Sequence, residues 1–451
     1  MSEDAQRSGA ESIALIPFTA AEGRTGPLTW SQRGWLSRVN GEKVEPASMF
    51  TARWVTARCT TDQAVESIRG LVRRFEALRT EITGLNPCQA HQFTVANGEI
   101  PVAMYSLDAG STLTPATKAA AMAENLRQSF SVSPTNSSPI AFALLHADDM
   151  VHAIAFAASY FAVDTTAADL LARFVENTVN GVPLSVSPSE EWTPIDQALY
   201  EQSPQGLRQS ARAVEHWRAC FEQAQASLFP EQLVAYDEPR FAEFEMDSPA
   251  LTGALSRLTS IYPFTEPALA LTATSLALRD LCRVDRVRLE LIFNNRWGSR
   301  TQNTIGNIAQ NAVYSADLAN CDFARAAAIV AEESFKAQRF SHHDPVVVDG
   351  MFSELAGKGI ERSEFFSFSA TPVVSDSPAP SAIDADIGPD TTTIRQLKRT
   401  ESGGTKFFLS IERDTVGRRY RLFANLNYLP EAAAETMLHT VERIAVSAAA
   451  A

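Results

Sequence analysis

A length of 451 residues exceeds what one ordinary hydrophobic core supports, so we expect two domains of about 200 residues each. Hydrophobic residues make up 45% of the chain and charged residues 20%, which indicates a globular protein and excludes a disordered one. The net charge of −14 argues against a nucleic-acid partner or an anionic membrane surface.

The first half of the chain shows alternating strand and helix patterns. Strands are predicted over 12–19, 50–60, 140–148 and 150–159, and helices over 27–39, 61–84, 116–130 and 165–181. The last two strands meet at a pair of aspartates, which predicts a buried β-hairpin. A proline-rich stretch follows, and we place the domain boundary there, with an N-terminal domain over 1–181, a linker over 182–194 and a C-terminal domain over 195–451.

The second half repeats this alternation. Helices are predicted over 209–224, 266–282, 324–340 and 430–447, strands over 286–293, 304–318 and 364–370, and a β-hairpin over 406–414 and 418–428. The stretch 371–390 is rich in proline, serine and aspartate. It is predicted to be a long mobile arm of the kind that often covers a site.

The cysteines and the start of the chain point to a reducing compartment. The five cysteines are far apart and form no CxxC pair, which predicts neither disulfides nor a zinc site, so we interpret them as small core residues. The opening residues MSEDAQR are polar and acidic, and no segment holds about 18 consecutive apolar residues. We expect a cytoplasmic protein without a membrane span.

One junction has the layout in which enzymes often place a catalytic residue. In VHAIAFAASYFAVDTTAADLLARFVENTVNG, residues 151–181, a buried strand runs through a tight turn directly into a helix. The turn offers Ser159 and Tyr160 as catalytic candidates, and it carries Asp164. It has no base for neutral pH, because a tyrosine of ordinary pKa near 10 stays protonated and a serine needs a base of its own. His152 lies about 23 Å back along the strand, too far to substitute.

The only adjacent histidines are His342 and His343, in the stretch SHHDPVVVDG. They precede a proline at a helix end, and their spacing matches no catalytic motif. We predict a surface or packing role for them and no metal site.

Five stretches, in this order, resemble motifs of the condensation-domain family of nonribosomal peptide synthesis, part of the chloramphenicol acetyltransferase-like superfamily. They are PLTWSQRGWL with Gln32 in its usual place, RFEALRTEI with Phe75 where histidine is usual, EHWRACF, FNNR, and TIGNIAQNAV with Gln310 in place of asparagine. The resemblance covers about residues 27–447.

The family's HHxxxDG motif aligns with SYFAVDT in this chain. Ser159 stands for the first histidine, Tyr160 for the second, which is the one usually credited with catalysis, and Thr165 for the glycine. Asp164 is retained. In the family this aspartate pairs with the arginine that matches Arg296 and ties two lobes together, a task suited to a bidentate ion pair. The alternative is that the aspartate merely caps the following helix while the arginine is solvated.

The resemblance implies a mixed α/β (α+β) fold of two acetyltransferase-like lobes in a V-shaped pseudo-dimer, with a tunnel at their junction. An acyl or peptidyl carrier protein would bring a thioester on its phosphopantetheine arm, and a small-molecule amine would enter from the other face. No cofactor bound directly to this chain is implied. Side chains expected to bind substrate near the junction are Gln32, Gln310, Asn311 and Trp297.

Loss of the motif histidines leaves three functions open. Base assistance contributes about 3–5 kcal/mol, whereas alignment of two reactants contributes about 7–11 kcal/mol, so an amide synthase of the acyltransferase type can work by positioning in natural-product or antibiotic biosynthesis. The second possibility is a catalytically silent scaffold that recruits a carrier protein or a tailoring enzyme. The third is different chemistry in the same tunnel, such as cyclisation, hydrolysis or isomerisation.

Overall fold

The structure is a computed structural model that describes residues 10–41, 50–107, 113–129, 138–182, 191–223, 227–236, 239–357, 360, 364–369, 392–401, 403, 405–413 and 418–451. The chain divides into two compact units. Unit 1 comprises Met1–Leu207 and Asn294–Ala309, and unit 2 comprises Arg208–Phe293 and Gln310–Ala451. Residues 195–207 and 294–309 thus group with unit 1, whereas the sequence division assigned them to the C-terminal domain. The predicted arm at 371–390 lies outside the described residues.

Unit 1 is built around a five-stranded sheet of order β1-β6-β7-β8-β3. Its strands are β1 Ser12–Thr19, β3 Phe50–Thr60, β6 Asn97–Ser106, β7 Ile140–Ala147 and β8 Met150–Ser159. All neighbours are antiparallel except β6 and β7. The predicted hairpin of β7 and β8 is confirmed, and Asp148 in its turn has a positive φ of 51°.

Helices cover both faces of this sheet because its strands are apolar on both sides. The covering helices are α2 Thr61–Arg74, α3 Pro115–Ser129 and α4 Thr165–Val179, and unit 1 also contains α1 Trp30–Gly41 and α5 Pro194–Glu201. Helices α2 and α4 contribute Ile68 and Leu171 to the core on one face, and α3 contributes Met122 to the core on the other. Gly181, just beyond α4, has the left-handed φ of 70° expected for a helix end.

The predicted helix over 61–84 is wrong in its second half. Helix α2 ends at Arg74, a 3₁₀ turn spans Glu76–Arg79, and β4 spans Thr80–Thr83. Strand β4 joins β5 (His91–Thr94) and β2 (Thr25–Pro27) in a small antiparallel sheet. The β-branched residues in TEIT favour this pairing, and the apolar spacing that suggested a helix continues across the break by chance.

Unit 2 contains a seven-stranded sheet of order β11-β10-β12-β14-β15-β9-β13. Its strands are β9 Phe241–Asp247, β10 Arg286–Phe293, β11 Gln310–Asp317, β12 Glu364–Ser369, β13 Thr393–Thr400, β14 Phe407–Arg413 and β15 Arg418–Asn425. The predicted antiparallel hairpin of β14 and β15 is confirmed. Strands β9 and β13 were not predicted.

Six helices complete unit 2, the first of which begins in unit 1. They are α6 Pro204–Glu222, α7 Pro249–Ile261, α8 Glu266–Cys282, α9 Phe323–Arg339, α10 Pro345–Ala356 and α11 Glu431–Ala450. Helix α8 lies in the main core, as its nearly uniform apolar character predicts. Helices α6 and α10 form a second cluster with β11, around Trp217, Val313 and Met351.

None of the helices among the described residues is long and apolar enough to cross a membrane. The five cysteines are unpaired. Burial raises the pKa of Cys220 to about 11 and that of Cys282 to about 12, so both thiols stay protonated at neutral pH. These two cysteines therefore behave as unreactive packing residues.

Candidate functional site

The turn after β8 is held by hydrogen bonds from Ser159. The carbonyl of Ser159 accepts from the N–H groups of Ala162 and Val163, each at 2.9 Å, and its Oγ accepts from the N–H of Phe161 at 3.2 Å. Only 2% of Ser159 is exposed. In this geometry the hydroxyl stabilises the turn, and the catalytic role of Ser159 stays a prediction.

Asp164 caps α4 and pairs with Arg296 at the same time. Its Oδ1 accepts from the N–H of Ala167 at 2.8 Å, as a helix N-cap does. Its Oδ2 accepts from Arg296 Nη1 at 2.9 Å and from the N–H groups of Ile308 and Ala309 at 3.0 and 3.1 Å. Both side chains of the ion pair are at least 95% buried. Asp164 therefore both pairs with Arg296 and caps α4, and the Arg296 side chain is not solvated.

Arg296 uses its remaining hydrogens on backbone carbonyls of its own segment. Its Nη2 donates to Thr304 O at 3.1 Å and to Gly306 O at 3.0 Å, and its Nη1 also donates to Asn294 O at 2.9 Å. Asp164 and Arg296 both belong to unit 1, because the segment 294–309 groups with that unit. The ion pair thus fixes this segment against the start of α4, and a tie between lobes stays a prediction.

Other side chains of unit 1 hold the same segment through its carbonyls. Thr29 Oγ1 donates to Asn307 O at 3.1 Å, and Ser31 Oγ donates to Ala309 O at 2.7 Å. Asn295 Nδ2 donates to Ile308 O at 3.1 Å. The PLTWSQRGWL stretch and the TIGNIAQNAV stretch, which are far apart in sequence, are therefore direct neighbours.

Gln32 connects α1 to the turn. Its Nε2 donates to Phe161 O at 3.0 Å and to Gln92 Oε1 at 3.2 Å, while its Oε1 accepts from the N–H of Thr29 at 2.8 Å. The residue is 1% exposed. These bonds occupy the amide, and the predicted contact of Gln32 with substrate remains untested.

Tyr160 is anchored at its backbone and along its ring. Asn307 Nδ2 donates to its carbonyl oxygen. Its ring stacks on the indole of Trp35, with centroids 4.9 Å apart and planes at 3°. The Tyr160 hydroxyl has no hydrogen-bond partner among the described residues, and the side chain is half-buried. The turn therefore presents the Tyr160 hydroxyl as a hydrogen-bond donor whose ring plane is set by the stack.

A second buried carboxylate lies on α4 behind the turn. Asp169 Oδ1 accepts from Arg53 Nε at 2.6 Å. Burial raises the pKa of Asp169, the Arg53 charge opposes that shift, and the charge of Asp164 adds a smaller increase. Asp164 and Asp169 are thus each paired with an arginine. Such pairing stabilises the fold, whereas a general base needs a carboxylate oxygen that is free to accept a proton.

The remaining predicted residues lie in two places. Trp297 belongs to unit 1, is 53% exposed, and donates from Nε1 to Asn295 Oδ1 at 3.3 Å. Gln310 and Asn311 begin β11 in unit 2, where Gln310 Nε2 donates to His343 O at 2.7 Å and Asn311 Nδ2 donates to Glu290 Oε2 at 3.1 Å. Their sharing one substrate site stays a prediction.

The sequence interpretation missed Trp35 and Asn307 as parts of the site. Trp35 carried a signal, since it lies in the same predicted helix as Gln32. Asn307 lies within the TIGNIAQNAV stretch and carried none, because its contact with the Tyr160 carbonyl joins residues 147 positions apart.

Two histidines of unit 2, His216 and His343, pack against aromatic rings. His343 is buried and meets Trp217 in a T-shaped arrangement, at 5.2 Å between centroids, and His216 stacks on Phe340 at 4.6 Å. Burial lowers the pKa of His216, and it lowers that of His342 to about 4. The described residues contain no group of three or more His, Cys, Asp or Glu side chains that could hold a metal ion.

We expect the protein to lose stability as the pH falls from about 6.5 to 4. Unfolded His342 takes up a proton near pH 6.5, whereas the folded form resists until about pH 4, so the unfolded state gains protons first. His342→Gln should reduce the loss of unfolding free energy over this range by about 1–3 kcal/mol, measured by urea denaturation. The exposed His91→Gln serves as the control. If the unfolding free energies of His342→Gln and wild type depended on pH in the same way, His342 would not be the group responsible for the loss.

No protein-family model and no curated protein matches the chain. Solved structures do. One similar structure comes from work on condensation domain-mediated chain release from the enacyloxin polyketide synthase. Its sequence is 13% identical to this chain, with a TM-score of 0.71 over 98% of this chain and 85% of that one. The SgcC5 protein from Streptomyces globisporus is 17% identical, with a TM-score of 0.65 over 94% and 98%.

The X-domain from teicoplanin biosynthesis is also similar, at 15% identity and a TM-score of 0.66 over 96% of this chain and 97% of that one. The same domain is known in a complex with OxyB. At such low identities these likenesses establish the fold. The chain has a mixed α/β, condensation-domain-like fold, which confirms the predicted fold class.

Proposed function

We propose that this protein, whose chain has the condensation-domain fold, joins a carrier-bound acyl or aminoacyl thioester to a small-molecule amine. Tyr160 would donate a hydrogen bond to the thioester carbonyl, and no protein base would take part. The observation that carries the proposal is the Tyr160 hydroxyl, which is oriented by the Trp35 stack and has no partner among the described residues. A donor aimed at a developing oxyanion stabilises the transition state of acyl transfer.

The chemistry balances without a protein base. The neutral amine attacks the thioester carbon and forms a C–N bond, while the carbonyl electrons move to oxygen and the Tyr160 hydroxyl stabilises the resulting oxyanion. When the C=O bond re-forms, the C–S bond breaks and the thiolate leaves. The nitrogen then loses its extra proton to the thiolate or to water, which gives an amide and the free thiol of the phosphopantetheine arm.

An amine acceptor suits this site better than an alcohol. An α-amine with a pKa near 8 is about one tenth neutral at pH 7, so its nucleophilic form is available without help. A neutral alcohol is a far weaker nucleophile and depends on a base to remove its proton. A turn that offers a donor and no base therefore favours amide formation over ester formation.

The first test is a search for product. The protein is incubated with phenylalanyl and octanoyl thioesters of a peptidyl carrier protein and with benzylamine or glycinamide, and products are followed by mass spectrometry. We expect amide formation at least about 100-fold faster than the uncatalysed reaction, since alignment of the two reactants supplies several kcal/mol. The proposal would be contradicted if the protein accelerated only thioester hydrolysis, or if it accelerated neither reaction.

A scaffold is the second candidate function. It is favoured by one comparison, because the similar X-domain from teicoplanin biosynthesis is known in a complex with OxyB. A scaffold would bind a carrier protein or a tailoring enzyme and leave the thioester intact. Tight carrier binding measured by calorimetry, together with unchanged thioester, would support this function instead.

A further inference from the structure

We infer that Trp35 is a positioning residue for Tyr160, and this inference rests on the proposed function. The indole of Trp35 fixes the plane of the Tyr160 ring and so sets the direction of its hydroxyl. Trp35 itself would not touch the reacting atoms. It would act on the rate through Tyr160.

The stacking geometry carries the inference. The two rings are parallel within 3°, with centroids 4.9 Å apart, which lies in the favourable range for stacked aromatic pairs. Such a pair contributes about 0.5–1.5 kcal/mol beyond its buried area. The outer torsion of a tyrosine side chain is otherwise broad. Rotation about it leaves the phenolic oxygen on the rotation axis but turns the ring plane, in which the O–H bond prefers to lie, so an unstacked ring donates over a wider range of directions.

Packing and hydrogen bonds hold Trp35 and the helix that carries it in place. It lies on α1 and packs against an apolar cluster of Leu28, Leu36, Ile82, Ala90 and Phe161. The start of α1 is fixed by Glu201 Oε2, which accepts from the N–H of Trp30 at 2.6 Å, and by Ser31, which donates to Ala309 O. The helix that carries the indole is therefore bound to the same segment that anchors the turn.

Hydrogen bonds to the backbone at and after Tyr160 are consistent with this positioning role. Asn307 holds the Tyr160 carbonyl, Gln32 holds the carbonyl of Phe161, and the Phe161 ring joins the apolar cluster beneath Trp35. The backbone of Tyr160 is thereby fixed, and its side-chain torsions are the freedom that remains. The stack on the Trp35 indole restricts that freedom.

A double-mutant cycle of Trp35 and Tyr160 tests the inference, with kcat and KM for amide formation as the readout. Trp35→Leu and Trp35→Met should each lower kcat about 10-fold or more with little change in KM, whereas Trp35→Phe, which keeps a stacked ring, should stay within about threefold of wild type. In a Tyr160→Phe background the Trp35→Leu loss should disappear, because there is no hydroxyl left to position. An equal loss in both backgrounds would overturn the inference.

A measurement without turnover separates this inference from the proposed function. With 3-fluorotyrosine at position 160, fluorine NMR reports the ring environment of the intact protein. We expect a resonance shifted by the indole that moves to the position of a free tyrosine in Trp35→Leu and Trp35→Met but not in Trp35→Phe. A resonance that does not move in Trp35→Leu would overturn positioning by Trp35, even if the enzyme is active. If the resonance moves but the wild-type protein forms no amide, the positioning of the Tyr160 ring by Trp35 is supported and the proposed function is refuted.

Discussion

Replacing Asp164 with alanine is expected to lower the free energy of unfolding by about 3–5 kcal/mol, because the buried guanidinium of Arg296 loses its counter-charge. The N–H groups of Ala167, Ile308 and Ala309 lose their acceptor as well. Urea denaturation followed by circular dichroism measures the change.

A matched control separates the ion pair from helix capping. Asp322 caps α9 by accepting from the N–H of Arg325 at 2.8 Å, and it is exposed. Asp322→Ala should therefore cost only about 1 kcal/mol. Adding Arg296→Met to Asp164→Ala should restore part of the loss, because no unpaired charge then remains buried. Equal losses in the two alanine variants would contradict a dominant role for the ion pair.

Replacing Tyr160 with phenylalanine is expected to lower kcat for amide formation about 100-fold and to leave KM nearly unchanged. The variant removes the hydroxyl that we propose donates to the oxyanion, and a donor of this kind contributes mainly in the transition state. The Trp35 stack should survive, since phenylalanine keeps the ring. Initial rates measured by mass spectrometry at several amine concentrations give both constants.

The control for this change is Tyr262→Phe. The Tyr262 ring packs against Phe323 at 5.8 Å in unit 2, and its hydroxyl takes no part in the proposed chemistry. Wild-type kcat in Tyr262→Phe with a loss in Tyr160→Phe assigns the effect to the hydroxyl at the turn. Wild-type kcat in both variants would exclude Tyr160 as the donor.

The turn and its flanking elements could be predicted because their signals are local. The apolar run of β8 and the helical spacing after Asp164 fix the strand and helix on either side of the turn, and the aspartate is a good N-cap. The Asp164–Arg296 pair could be predicted only through the family resemblance, because its partners are 132 residues apart. Local pattern alone does not join them.

The missed elements depend on contacts between distant residues. Strand β9, with the sequence FAEFEMD, places Glu245 at a site that is almost fully buried. Arg395 on β13 and Arg421 on β15 neutralise it at 2.5 and 3.1 Å. A buried carboxylate is stable only with such partners, and the partners come from strands 150 and 176 residues later in the chain. The Trp35–Tyr160 stack was missed for the same reason.

The most direct test of amide formation without a protein base is the pH dependence of its rate for two amines of different pKa. We predict that kcat/KM rises about tenfold per pH unit below the pKa of each amine and levels off above it, so that the midpoint moves with the acceptor. A midpoint fixed near pH 6.5 for both amines would reveal a histidine base in the protein and contradict the proposed mechanism.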